Sequence, residues 1–434
     1  MAFEPIYILI LAFTIVIDYF AGIAIENAKG KQRKLLLLIS IFANIGILAV
    51  FKYYNFFNDI ISDTLNLFKF KNNISYLSIL LPIGLSFHTF QAMSYTIEVY
   101  RGNQKAEKHF GIYSLYVMFY PQLVAGPIER PQNLLPQFHT KHAFEMKNLE
   151  AGFKKMLFGF FKKLVIADRL SIYVDAVFNN STHHTGTSLA VATIFFAFQI
   201  YCDFSGYSDI AIGAAKMMGI DLMTNFRRPY LSSSISEFWS RWHISLSTWF
   251  KDYFYISLGG NRVGIPRWYF NLFFVFLISG LWHGANWTFL MWGSINGVYL
   301  ILALMRDRVF SKLHLPSAPF KNSFVNLLNI LITFILICIS WIFFRANNIS
   351  QANRIIYQIF TDHGIIFFDI DLIYGGLAIL FLLIFEWIQE KECNRLQFMN
   401  SPSTWVRFFS YSLMITAIMA FGVFDGAQFI YFQF

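Results

Sequence analysis

Apolar runs of membrane length recur from residue 5 to about residue 425, and nothing else constrains the fold of this chain as strongly. They read as 5–25, 35–54, 76–98, 155–178, 187–214, 268–282, 285–305, 323–344, 371–389 and 405–425. Each supplies about 20 residues, enough for one helix to cross a hydrocarbon core of about 30 Å. Lipid offers the backbone no hydrogen-bond partners, so continuous apolar runs must become helices. A transmembrane β-barrel would instead show alternating hydrophobicity. The expected fold is all-α, a polytopic membrane protein of about ten to twelve transmembrane helices.

Composition excludes the main rivals. Charged residues make up 14% of the chain, against about 25% in soluble globular domains. Mean hydropathy is +0.50. A soluble enzyme, a disordered protein, a coiled coil and a repeat solenoid are all ruled out. No low-complexity linker interrupts the sequence, so residues 1–434 read as one membrane domain. No internal repeat is visible either, which removes the inverted-repeat signature of many transporters. Two stretches are too broken for simple spans. One is 110–127, ending in Ala125-Gly126-Pro127, and the other is 238–258, which holds Arg241, His243, Lys251 and Asp252. Irregular backbone at membrane depth is tolerated only inside protein or along a cavity, so both are expected as re-entrant or interfacial elements beside a site.

The net charge of +9 follows from basic loops facing anionic lipid. Lys29, Lys31, Arg33 and Lys34 place the first loop in the cytoplasm and the N-terminus outside. No basic stripe interleaves with aromatics on a soluble surface, so nucleic acid is not an expected partner. Cys202, Cys338 and Cys393 show neither a disulfide framework nor zinc spacing, and no metal site is expected. The N-terminus lacks a basic region and a cleavage site, and reads as a retained first span.

A charge at the bilayer centre costs about 2.5–3.5 kcal/mol, which makes ionisable residues inside apolar stretches functional candidates. They concentrate in residues 201–293, the expected catalytic core. His283 sits between Trp282 and Gly284 amid apolar runs. It reads as a general base taking a proton from a hydroxyl, or as a core histidine bonded to a carbonyl. Gly280 and Gly284 would let a substrate approach the backbone closely. His243 reads as a structural histidine or as an aid to substrate binding and to orienting His283. Asp203 and Asp209 are six residues apart, not on one helical face, which argues against a catalytic carboxylate pair. With Ser205, they suggest positioning and hydrogen bonding. Arg241, Trp282 and Asn286 complete the candidate substrate-binding set. Tyr431, in the C-terminal FIYFQF, reads as an interfacial anchor.

Five segments together resemble the membrane-bound O-acyltransferase family: LPIGLSFHTFQAMSYTIEVYRG (81–102), FYPQLVAGPIERP (119–131), YCDFSGYSDIAIGAAKMMGI (201–220), FWSRWHISLSTWFKDYFYISLGGNR (238–262) and LWHGANWTFLMWG (281–293). The most similar branch contains alginate and peptidoglycan O-acetyltransferases and the teichoic-acid D-alanyl transferase. The resemblance implies a family fold with a central funnel reaching a buried histidine from both membrane faces. It implies that His283 is that catalytic histidine and His243 the family's second histidine. Several relatives in this branch share an aromatic C-terminal motif, FxYxxF, which Phe429, Tyr431 and Phe434 fit. The implied role of Tyr431, within 429–434, is a transient acyl acceptor.

The expected activity is O-acylation of an exported or cell-surface polysaccharide by a short acyl group, foremost acetyl, with His283 as base. The donor would be acetyl-CoA or another cytoplasmic acyl thioester, with no permanently bound cofactor. Expected partners are the lipid bilayer, the polysaccharide acceptor and a periplasmic or extracellular SGNH-hydrolase-like acyltransferase. The expected location is the cytoplasmic (inner) membrane of a bacterium. The rival readings are D-alanyl transfer to teichoic acid from a carrier protein, and a transporter or polysaccharide export channel.

Overall fold

The computed structural model describes residues 7–78, 82, 84–312, 323–391, 399, 401–425 and 429–430. Among the described residues there is no strand. Eight helices among them are long and apolar enough to cross a membrane. They correspond to eight of the ten expected spans, and the chain is a multi-pass membrane protein. The two remaining stretches differ for identifiable reasons. Their contacts group the residues into two units, 1–149 with 214–223, and 150–213 with 224–434.

The first unit contains α1 (Tyr7–Asn27), α2 (Gly30–Leu48), α3 (Tyr54–Leu67), α4 (Leu85–Arg101), α5 (Phe110–Met118) and α6 (Pro131–Phe138). A π-helical turn, Ala49–Tyr53, joins α2 to α3. A buried polar cluster ties α1, α2 and α4 together. Ser40 Oγ and Asn44 Nδ2 donate to the Asp18 carboxylate at 2.6 and 2.8 Å, and Ser40 Oγ lies 3.0 Å from Thr96 Oγ1. Of the expected span 76–98, the described helical part is α4, from Leu85. Upstream, asparagines on α3 hold residues 74–77, which are not helical: Asn55 exchanges two hydrogen bonds with the Leu77 backbone, and Asn58 donates to the Ile74 carbonyl. Gly84, at φ 80°, starts α4, and an added Cβ there would stand 2.6 Å from the Leu123 carbonyl oxygen. The expected re-entrant stretch 110–127 is the short helix α5 followed by turns.

The second unit begins with α7 (Met146–Phe160), which runs through a π-helical turn (Phe161–Ala167) into α8 (Asp168–Phe178). This is the other expected span, 155–178. It carries Lys155, Lys162, Lys163 and Asp168, too many charges for a lipid-facing helix, and packs them against α9 (Gly186–Met217). The most apolar stretch of α9 is 83% buried, far more than in any other candidate span, so α9 is a central helix. Glycines let the two helices approach. A Cβ on Gly159 would stand 2.7 Å from the Gly206 carbonyl oxygen, and one on Gly213 would stand 2.6 Å from that of Gly152.

The remaining helices are α10 (Ile235–Arg241), α11 (Ile244–Trp249), α12 (Ile265–His283), α13 (Trp287–Lys312), α14 (Ser323–Arg345), α15 (Ile349–Thr361), α16 (Ile370–Glu390) and α17 (Thr404–Phe421). The expected broken stretch 238–258 is α10, a two-residue break at Trp242–His243, α11 and a π-helical turn, Phe250–Tyr255.

Helices α12 and α13 form a tight hairpin. A Cβ on Gly280 would lie 2.3 Å from the Phe289 carbonyl oxygen, one on Gly293 2.4 Å from that of Phe276, and one on Gly284 2.1 Å from the Phe289 ring. Gly280 and Gly284 therefore serve the hairpin crossing; the expected close approach of a substrate to their backbone is replaced by helix packing. We expect Gly293→Ala to cost about 1–3 kcal/mol by overpacking. The check is a lowered thermal unfolding midpoint in detergent, beside a Gly376→Ala control whose Cβ meets nothing within 4 Å.

Candidate active site

His243 is set by the break between α10 and α11. It is 1% exposed and takes a left-handed backbone conformation, φ 41°, ψ 55°, which is unfavourable for a residue with a Cβ. Asn225 holds it there. The Ile244 N–H donates to the Asn225 carbonyl at 2.8 Å. Asn225 Oδ1 accepts from Ser245 N at 3.2 Å and from Ser245 Oγ at 2.9 Å, while Asn225 Nδ2 donates to Ser208 Oγ at 3.2 Å. The Ser245 backbone N–H can only donate, so it settles which amide atom is the oxygen. His243 Nδ1, 3.0 Å from that oxygen, must then carry the proton, and Nε2 carries the lone pair. Burial disfavours the imidazolium and holds His243 below the usual histidine range. Its ring packs edge-on against Phe204, with centroids 4.6 Å apart.

His283 is the last residue of α12 and is 5% exposed. The helix stops there because Gly284 leaves the helical conformation, its N–H closing onto the Gly280 carbonyl. Asn286 starts α13: its side-chain oxygen accepts from Thr288 N at 3.0 Å, and its amide donates to the Asn347 carbonyl at 3.2 Å. The His283 imidazole is boxed by Trp282, Trp292 and Phe344, with centroids at 5.0, 5.0 and 5.4 Å. Trp282 also lies 6.4 Å from the His243 ring, so one indole neighbours both imidazoles.

Both histidines line a single cavity of about 320 Å³. Its walls are mostly aromatic and aliphatic, from Trp239, Trp242, Phe250, Trp268 and the faces of α12 and α13. Ser236, Ser247, Ser279, Tyr255 and Lys251 add polar groups, and no carboxylate is among the lining residues. An apolar chamber with two imidazoles, hydroxyls and a lysine can admit a thioester chain, exclude water and move a proton.

Residues 109–346, more than half of the chain and including both histidines, match the membrane-bound O-acyltransferase family. The chain belongs to that family. It is 40% identical over 358 residues to a probable alginate O-acetylase of Pseudomonas aeruginosa, covering 82% of this chain and 66% of the relative. It is 36% identical over 377 residues to a peptidoglycan O-acetyltransferase of Helicobacter pylori, covering 81% and 69%. It is 29% identical over 295 residues to a teichoic acid D-alanyltransferase of Streptococcus thermophilus, covering 62% and 69%. The chain thus spans about two thirds of the length of the curated relatives it matches.

In this O-acyltransferase family member the other candidate residues lie outside the cavity wall. Asp203, Ser205 and Asp209 face the lysines of α7 and its π-helical turn. Lys163 Nζ reaches Asp203 at 2.7 Å, Lys162 Nζ reaches Ser205 Oγ at 2.9 Å and Asp209 at 2.5 Å, and Lys155 Nζ reaches Asp209 at 2.8 Å. Arg241 pairs with Glu237 at 2.6 Å and with Glu390 at 2.9 Å, and Arg228 shares Glu390. Trp282 packs near both histidine rings, and Asn286 orders the start of α13. Tyr431 and Phe434 lie outside the described residues; Phe429 and Ile430 are described and buried.

Sequence reasoning missed Asn225. It sits in the polar stretch DLMTNFRRPYL, and no spacing rule connects it to a histidine 18 positions on. Ser236, Ser247 and Ser279 were missed as cavity residues too, whereas Lys251 was marked as an ionisable residue of the broken stretch 238–258, which also holds Ser247.

Proposed function

We propose that this chain is an O-acyltransferase of the bacterial cytoplasmic membrane. It moves an acetyl group from a cytoplasmic thioester toward hydroxyls of an exported polysaccharide, and His283 is the base. One observation carries the reading: the two histidines, 40 residues apart in sequence, meet at one apolar cavity inside the matched family region. In the proposed step the imidazole takes the proton of the accepting hydroxyl. The hydroxyl oxygen forms a bond to the acyl carbon, the carbon–sulfur bond breaks, and the proton passes to the departing thiolate. His243, with its proton held on Nδ1 by Asn225, orients substrate or His283. Lys251 on the cavity wall favours a donor bearing phosphate, as acetyl-CoA does.

The first acceptor in this reading is the Tyr431 phenol. A phenol has a pKa of about 10 and needs a base to become nucleophilic. Its ester is then reactive enough to pass the acyl group to an SGNH-hydrolase-like partner outside the membrane. The test is acetate released by base from surface polysaccharide of cells carrying wild type or Tyr431→Phe. Loss of acetate with unchanged protein level supports the relay. Unchanged acetate makes the transfer direct and leaves Tyr431 an anchor. Release of D-alanine in place of acetate would shift the assignment to the teichoic-acid reaction.

A further inference from the structure

A buried carboxylate in mid-membrane is costly unless it is paired. Asp203, in the centre of α9, has one oxygen on Lys163 Nζ at 2.7 Å, and the same ammonium reaches Asp168 at 2.7 Å. Its other oxygen accepts the backbone N–H of Ile430 at 2.7 Å, across 227 positions of sequence. The C-terminal segment touches the same place twice more. Val423 N–H donates to the Leu164 carbonyl at 3.1 Å, inside the π-helical turn that carries Lys162 and Lys163. Arg169 Nη2 donates to the Phe421 carbonyl at 2.9 Å. Next to Ile430, the Phe429 ring packs on Tyr207 and Phe204, with centroids at 5.3 and 5.8 Å, and Phe204 packs on His243.

We propose that Asp203, with Lys163 and the π-helical turn Phe161–Ala167, forms a clamp that docks the C-terminal segment beside the His243 wall of the active site. Asp203 is on this view a positioning residue. Its two oxygens are committed to Lys163 and to the chain's own backbone, and it does not line the cavity. The clamp reads no side chain at its central contact, since a main-chain N–H is what Asp203 accepts. Lys163 fixes the carboxylate's rotamer and charge, and the phenylalanine contacts give the segment its register. The effect of the clamp on turnover rests on the acyl-transfer reading above; the docking itself does not.

The experiment uses the full-length chain, purified in detergent, with Ile430→Cys as a reporter in a Cys393→Ser background. Cys202 and Cys338 are buried and label slowly. Asp203→Ala is expected to speed maleimide labelling at position 430 by about tenfold or more, and Asp203→Asn, which can still accept the N–H, by much less. Labelling that stays within about twofold of the parent would overturn the clamp. Should Asp203→Ala fail to fold, judged by its thermal unfolding midpoint, Lys163→Met and Asp203→Asn make the same comparison. A second readout is acyl transfer in cells. Asp203→Ala and Ile430→Pro, which removes the donor N–H, are each expected to lower it about tenfold, and together no further. Losses that multiply would show that Asp203 acts by some other route. If even the wild-type chain transfers no acyl group, the labelling result still decides the clamp, and the acyl-transfer reading alone fails.

Discussion

His283→Ala is expected to lower acyl transfer by about 10²–10⁴-fold, the range that a positioned general base contributes. The other proton-accepting groups on the cavity wall are hydroxyls, one lysine and His243, whose proton is held on Nδ1 by Asn225. The alanine variant also opens space between Trp292 and Phe344, so its stability falls as well. His283→Gln separates the two effects. Glutamine fills most of the volume and can hydrogen-bond, yet takes up no proton near neutral pH. The expected result is equal inactivity in both variants, with a near-normal thermal unfolding midpoint only in the glutamine variant. The measurement is base-released acetate per cell at matched protein level. A His283→Gln chain keeping a tenth or more of wild-type transfer would remove His283 from the role of base.

Asn225→Leu is the second large effect. The side chain accepts from His243 and twice from Ser245, and its loss strands buried donors at a cost of about 1–3 kcal/mol. It also frees the tautomer of His243 and weakens the left-handed turn that aims it. Transfer is expected to drop about 10–100-fold, in line with that energy. Asn225→Asp keeps the acceptor and restores much of the activity, with a changed pH response. In the wild type, burial holds the His243 imidazole neutral, so its contribution to stability is complete above the unfolded value of about 6.5 and is lost as pH falls below it. A carboxylate at position 225 favours the imidazolium and raises the folded value. The Asp variant should therefore lose activity on the acid side at a pH where the wild type is still flat. Superimposable pH profiles would show that His243 does not enter the reaction.

Much of the fold was readable from the chain because lipid removes alternatives. With no water to satisfy the backbone, an apolar run of about 20 residues can only be a helix, and the eight apolar helices follow from that rule alone. The same rule marked 110–127 and 238–258 as broken elements and singled out His243 and His283 as costly. It counts residues and leaves open which partners their charges find. Stretch 155–178 is helical throughout, but its lysines are satisfied by Asp203, Ser205 and Asp209 on α9, a pairing visible from neither sequence segment alone. Asp203, Ser205 and Asp209 stood out as candidates by the same cost rule, which does not distinguish a substrate ligand from the partner of a lysine.

Local hydrogen-bond demand and side-chain cost act within one segment, so the sequence by itself determined which segments are helices, where they break and which residues are out of place. The meeting of His243 and His283 at one cavity, the hold of Asn225 on His243 Nδ1 and the docking of Ile430 on Asp203 span 18 to 227 positions. Only the tertiary structure decided these. Such contacts depend on how closely glycine-lined helices cross and which way each side chain then points, and no spacing along the chain encodes that.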